Sequence, residues 1–185
     1  MTTKVRIVSR AFVKLGRAPI NDLETGGDIV AAASDAYDEA VRDVLAWYSW
    51  TFATATLRLT RLTATPPSVT GFRYAYQLPA DMLQINRPFP ISNYDLREDK
   101  LYSNVSDLTI EYTFKPDESR FPYYFTSLLT AKLAADICIL VTEDKSQQQA
   151  LQQETDKLYR IASYLNARSH RPRPAVSNPF LVSRW

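Results

Sequence analysis

Three residue types on which much protein chemistry depends are nearly missing from this chain, whose 185 residues hold one cysteine, one histidine and four glycines. The single cysteine, Cys138, excludes an intrachain disulfide and a cysteine-rich metal site, and its apolar neighbours read as the setting of a buried spectator thiol. His170 stands among arginines near the C-terminus, far in sequence from Cys138 and from any serine in a nucleophile-elbow context, so no triad assembles around it. One histidine and one cysteine give no zinc spacing, and four glycines give no phosphate-cradling loop. No catalytic residues, no metal and no cofactor are expected.

Net charge of one sign is lacking too. The 22 basic and 20 acidic residues leave +2, too little for a global field that draws the protein onto nucleic acid or a membrane, so any electrostatic function is local. The start, MTTKVRIVSRAFVKLG, has neither the continuous apolar core nor the small-residue cleavage site of a secretory signal. Synthesis and folding in a cytoplasm are expected. The longest apolar stretch, Phe121 to Thr142, carries Lys132 and Asp136 near its middle, where charge is expensive in a bilayer. It reads as a core helix, with no membrane partner.

What is present is apolar and aromatic material, 45% and 12% of residues, enough for one core of ordinary size. Val5, Val8, Phe12 and Leu15 recur at helical spacing before Gly16, which predicts a first helix from Thr3 to Leu15. Asp28 offers an N-cap to a second helix with a stripe of Ile29, Ala33, Tyr37, Ala40, Val44 and Trp47. After Trp50 the texture turns to threonine and β-formers, and the segments FRYAYQLP, MLQINRP, NYDLR, KLYSN and DLTIEYTF read as further strands of a small antiparallel sheet. A third helix begins near Pro122 and is apolar on most sides. A fourth runs from Ser146 to Ala167 with Leu151, Leu158, Ile161 and Leu165 on one stripe, and the short break TEDKS makes the two an antiparallel pair.

The fold class expected is therefore α+β, mainly α: an antiparallel helical bundle of about four helices with a small inserted antiparallel β-sheet and an extended C-terminal arm. The body is one domain, 1–167, with helices in 1–49 and 120–167 and the β insertion in 50–119. The remainder, 168–185, is rich in proline and arginine, holds no acid and ends in Phe180, Leu181, Val182 and Trp185. Proline keeps it from continuing the helix, and large apolar residues gain from burial, so an arm of this kind expects a partner.

Candidate chemistry is thin. Asp35, Asp38, Glu39 and Asp43 cluster on the second helix, but beside or opposite its apolar stripe, which reads as a solvated face before it reads as a hydrolytic pair. Phe72, Arg73, Tyr74 and Tyr76 resemble a base-stacking platform, yet Tyr74, Tyr76 and Leu78 alternate as one packed strand face. Trp47, Tyr48, Trp50 and Phe52 form the densest aromatic group, either a joint of the core or a place where one tryptophan meets a neighbouring subunit. Arg171 and Arg173 can pair with acidic groups on a protein or with phosphates, so a DNA-binding accessory protein using the basic arm stands as the alternative function.

A helix ending in KLGRAPI, a second closing in WYSWTFA, then YAYQLPADMLQI, two C-terminal helices and a trailing arm together resemble the head-to-tail adaptor proteins of short-tailed bacteriophages, also called tail tubular protein A. The resemblance covers nearly the whole chain. It marks Trp47, Trp50, Phe52, Tyr74, Tyr76, Leu78 and Pro79 as structural motif residues. It implies a structural, non-enzymatic virion protein at the head–tail interface, one subunit of a twelve-membered homo-oligomeric ring docked under the portal protein. It further implies contact with the tail nozzle and with tail fibres or spikes, and a channel through which genomic DNA passes during ejection without specific binding. The portal-docking role falls on the arm, at Arg171, Arg173, Phe180, Leu181 and Trp185. The middle sheet is the expected tail-side surface and the acidic face of the second helix an expected channel lining.

Overall fold

Apolar residues at three- and four-residue spacing make α1, Lys4–Lys14, with Ile7, Val8, Ala11 and Phe12 buried along one side. The computed structural model describes residues 3–24, 27–63, 66 and 71–169. Thr3 caps α1, its hydroxyl accepting from the Arg6 amide at 3.4 Å, and Gly16 at φ +74° ends it in the left-handed conformation. The expected limits, Thr3 and Leu15, are its two caps. α2, Gly27–Trp47, starts one residue before Asp28, which therefore lies in the first turn, near the positive end of the helix dipole, and is not the cap. Its expected stripe holds at Ala33, Tyr37, Ala40 and Val44 and fails at both ends, where Ile29 and Trp47 are 46% and 41% exposed. There the core takes neighbours, Val30 and Leu45, because the buried face is wider than one row of residues.

Between the helices lie β1, Thr54–Arg58, β2, Tyr74–Gln77, β3, Met82–Phe89, β4, Tyr94–Arg97, β5, Lys100–Ser103, and β6, Thr109–Phe114. A 3-10 turn, Thr51–Ala53, leads into β1. Every strand expected from the sequence is present, but they form two antiparallel three-stranded sheets where one was expected, in the orders β1-β6-β3 and β2-β5-β4. The step between sheets is Leu78-Pro79-Ala80-Asp81. Proline ends β2, the Met82 amide donates to the Pro79 carbonyl at 3.2 Å, and β3 departs to pair with β6. Both sheets feed a shared core of Tyr76, Leu78, Leu101, Leu108, Ile110 and Tyr112. Met82 packs on that core, whereas Leu83 is 38% exposed, since successive strand residues face opposite sides.

α3, Tyr123–Thr142, follows Pro122 and is buried on most sides against α1, α2 and α4, the last spanning Lys145–Ser169. It is long and apolar enough to cross a membrane, and 67% of its most apolar window is buried inside the protein. Lys132 and Asp136, the charges in that stretch, pair with each other at 2.6 Å one turn apart. Glu143, at φ +56°, ends α3, and the Asp144 carboxylate accepts from the Ser146 and Gln147 amides to start α4. Gln148 reaches the Ala135 carbonyl and Asn166 meets Tyr124, so the two helices run antiparallel.

The buried face of α4 is Leu151, Thr155, Ala162 and Asn166, with Leu158 half-buried. Ile161, expected on that stripe, is 53% exposed. α4 runs through Arg168 and Ser169, two residues past the expected end at Ala167. Of the described residues about 52% are helix and 20% strand, an α+β architecture that is mainly α.

Candidate functional site

The chain leaves α2 at Trp47 and turns through Tyr48 and Ser49, so Trp47 and Trp50 go to different environments. Trp50 is fully buried, its indole N–H donating to the Val44 carbonyl at 2.7 Å and its ring lying 5.4 Å from Phe125 and 6.2 Å from Tyr124. Phe52, half-buried, adds an edge contact with Phe125 at 4.8 Å. Trp47 is 41% exposed and touches Tyr159 edge-on at 5.8 Å. The aromatic group is thus a joint of the core, with Trp47 on its outer side.

Asn166 fixes this joint from α4. Its Oδ1 accepts from the Thr51 amide at 3.0 Å, the Thr51 hydroxyl at 2.9 Å and the Tyr124 hydroxyl at 3.3 Å, and its Nδ2 donates to the Ser49 carbonyl. One buried amide thereby ties the exit of α2 to the start of α3. Beside it lies a cavity of about 580 Å³ lined by Trp47, Tyr48, Thr51, Asn86, Thr113 and Asn166. Asn86 Oδ1 accepts from the Thr113 hydroxyl at 3.0 Å, while the buried Nδ2 has no partner among the described residues.

The second motif stretch is structural as well. Tyr76 and Leu78 are buried in the sheet core, Tyr74 and Pro79 are half-buried, and the Tyr76 hydroxyl donates to the Val105 carbonyl. Arg61 lies over the Tyr74 ring at 5.1 Å. Exposed apolar residues cluster on β4 and the turn before it, where Ile91, Tyr94 and Leu96 are 83%, 37% and 44% exposed.

The carboxylates of α2 divide into two sets. Asp38 receives Lys4 at 2.8 Å and Lys115 at 3.1 Å, tying α2 to α1 and to the end of the β region. Partial burial pushes its carboxyl up, but the hydrogen bonds from Lys4 and Lys115 outweigh it and hold the group below the usual aspartate range. An acid held ionised in this way makes a poor proton donor. Asp43 lies 3.5 Å from Lys132. Asp35 and Glu39 are exposed and have no ion pair or hydrogen bond among the described residues. Burial, then the charge of Glu118, raises the neighbouring Tyr37 hydroxyl, which stays a neutral donor to Glu118 at 3.3 Å.

Cys138 is buried, within 3.4 Å of the Thr142 hydroxyl. Among the described residues no three histidine, cysteine or acidic side chains gather as a metal site. His170 and the arm residues Arg171, Arg173, Phe180, Leu181 and Trp185 lie outside the described residues. Neither a protein-family model nor a curated protein matches the chain.

Two features escaped the sequence reading. Asn166 continues the 151, 155, 162 spacing of α4 and was hidden by being polar. Arg6 and Arg10 are exposed on α1, one turn apart, and neither side chain has an ion pair or hydrogen bond among the described residues. Their signal was available, since α1 contains no acidic residue to pair with them.

Proposed function

We propose that this chain is a structural subunit of the adaptor ring that joins portal to tail nozzle in a short-tailed bacteriophage, and that it has no enzymatic activity. The observation that carries this reading is the order of elements: a short helix, a long helix closing in WYSWTFA, a β region entered through YAYQLPADMLQI, and an antiparallel helix pair leading to a proline- and arginine-rich segment. Support comes from what the motif residues do. Trp50, Phe52, Tyr76 and Leu78 build cores and joints, the work of a scaffold, and Asp38 and Asp43 are engaged by lysines.

In this reading the four helices act as the antiparallel bundle of the ring body, twelve copies surround a DNA channel, and the exposed residues Ile91, Tyr94 and Leu96 meet tail-side partners. Residues 170–185 dock on the portal through Arg171, Arg173, Phe180, Leu181 and Trp185. Deleting 170–185 tests the docking role, because α4 ends before the cut and the cores are untouched. The truncated chain is expected to keep its melting transition and lose co-sedimentation with the portal protein of the same virus. Equal co-sedimentation of truncated and intact chains contradicts it.

A further inference from the structure

The outward faces of α1 and α2 carry opposite charges that one copy leaves unused. On α1, Arg6, Arg10 and Val13 are exposed, opposite the buried stripe, at spacings of four and three residues. On α2, Glu39, Asp35 and Ala32 are exposed opposite the buried stripe at the same spacings, read in the reverse direction, and the exposed Arg42 one turn beyond Glu39 leaves this face acidic on balance. Neither the two arginine side chains nor the two carboxylates have an ion pair or hydrogen bond among the described residues. By contrast Lys4, Lys14, Asp38 and Asp43 on the same two helices are each engaged within the copy.

The α1 face borders a groove of about 830 Å³ lined by Val5, Arg6, Arg10, Ser127, Thr130 and Leu158. One turn beyond Leu158, Ile161 is 53% exposed. The groove offers apolar surface with two arginines along it, and its one acid, Glu154, is paired with Lys14 at 2.5 Å. An occupant that fits is a helix with small residues and two acids one turn apart, and α2 presents that face, with Ala31 and Ala32 exposed beside Asp35 and Glu39.

We propose that α2 of one copy lies antiparallel against α1 of the next, Arg6 meeting Glu39, Arg10 meeting Asp35 and Val13 meeting Ala32. The inference rests on the ring reading, adds the faces through which subunits meet, and places the acidic face of α2 in the subunit contact instead of the channel lining expected from the sequence. A contact between two different faces leaves the α2 face free on one copy of a bound pair and the α1 face free on the other, so it repeats and closes into a ring where the rotation allows. Exposed pairs of this kind weaken as salt rises.

Charge reversal tests it on the full chain, alone and on the portal, by sedimentation velocity. Arg6→Glu with Arg10→Glu makes both faces acidic, and Asp35→Arg with Glu39→Arg makes both basic. Each double variant is expected to associate roughly tenfold or more weakly than the parent. Mixed together, the two variants co-assemble alternately, because each supplies the face the other needs. Variants that are folded by circular dichroism yet assemble like the parent, or a mixture that does not assemble, overturn the contact. Rings indifferent to these charges leave the ring reading standing without this interface. Charge-dependent pairs that stop at dimers keep the interface and remove the ring reading. A parent chain that stays monomeric alone and on the portal contradicts both.

Discussion

Trp47 and Trp50 stand three residues apart and do different work. Trp50→Ala removes a fully buried ring and its bond to the Val44 carbonyl, and should cost about 3–5 kcal/mol in denaturant unfolding. Trp47→Ala, at a half-exposed position, should cost about 1 kcal/mol by the same measurement. Comparable losses at the two positions contradict this division. Composition marked the WYSW cluster, but which tryptophan is buried depends on α2 ending between them, a tertiary fact. Asn166→Ala leaves the Thr51 amide without its partner and should cost about 1–3 kcal/mol, seen as a lowered melting temperature. A polar residue on an apolar stripe gives no hydrophobic signal, so the expected stripe holds at Leu151 and Leu158, is half-buried at Leu165 and fails at Ile161, where the core takes Ala162 and Asn166.

At the scale of elements, the helices and strands were legible because their periodicities differ and their turns carry marked residues. Gly16 stops α1, as the sequence implied, and the Glu98-Asp99 turn joins β4 to β5. The division into two sheets was not legible, because strand pairing is decided by which faces share a core and no local residue states it. The Lys4–Asp38–Lys115 contact links α1, α2 and the β region and has a pH signature. The folded carboxyl is held below the ordinary aspartate value, about 3.9. Its contribution is therefore complete above the unfolded value and lost as pH falls through the lower folded one. Asp38→Asn should flatten the acid limb of stability against pH and leave the neutral limb's slope unchanged. An acid limb as steep as the parent's contradicts that assignment. Glu143 closes α3 at φ +56°, a conformation glycine adopts freely, so Glu143→Gly should raise stability by up to about 1 kcal/mol in thermal unfolding.

For the whole molecule, one core lies among the helices and a second between the sheets, and the proposed ring contact assigns a use to the outward charges of α1 and α2. The ring reading unites these with the element order and with the apolar, arginine-rich C-terminal sequence. Its most direct test is electron microscopy of the intact chain mixed with the portal protein of the same virus. The account predicts a closed ring of this chain coaxial with the portal, with twelve subunits around an open channel. A chain that remains monomeric and forms no complex with the portal contradicts it.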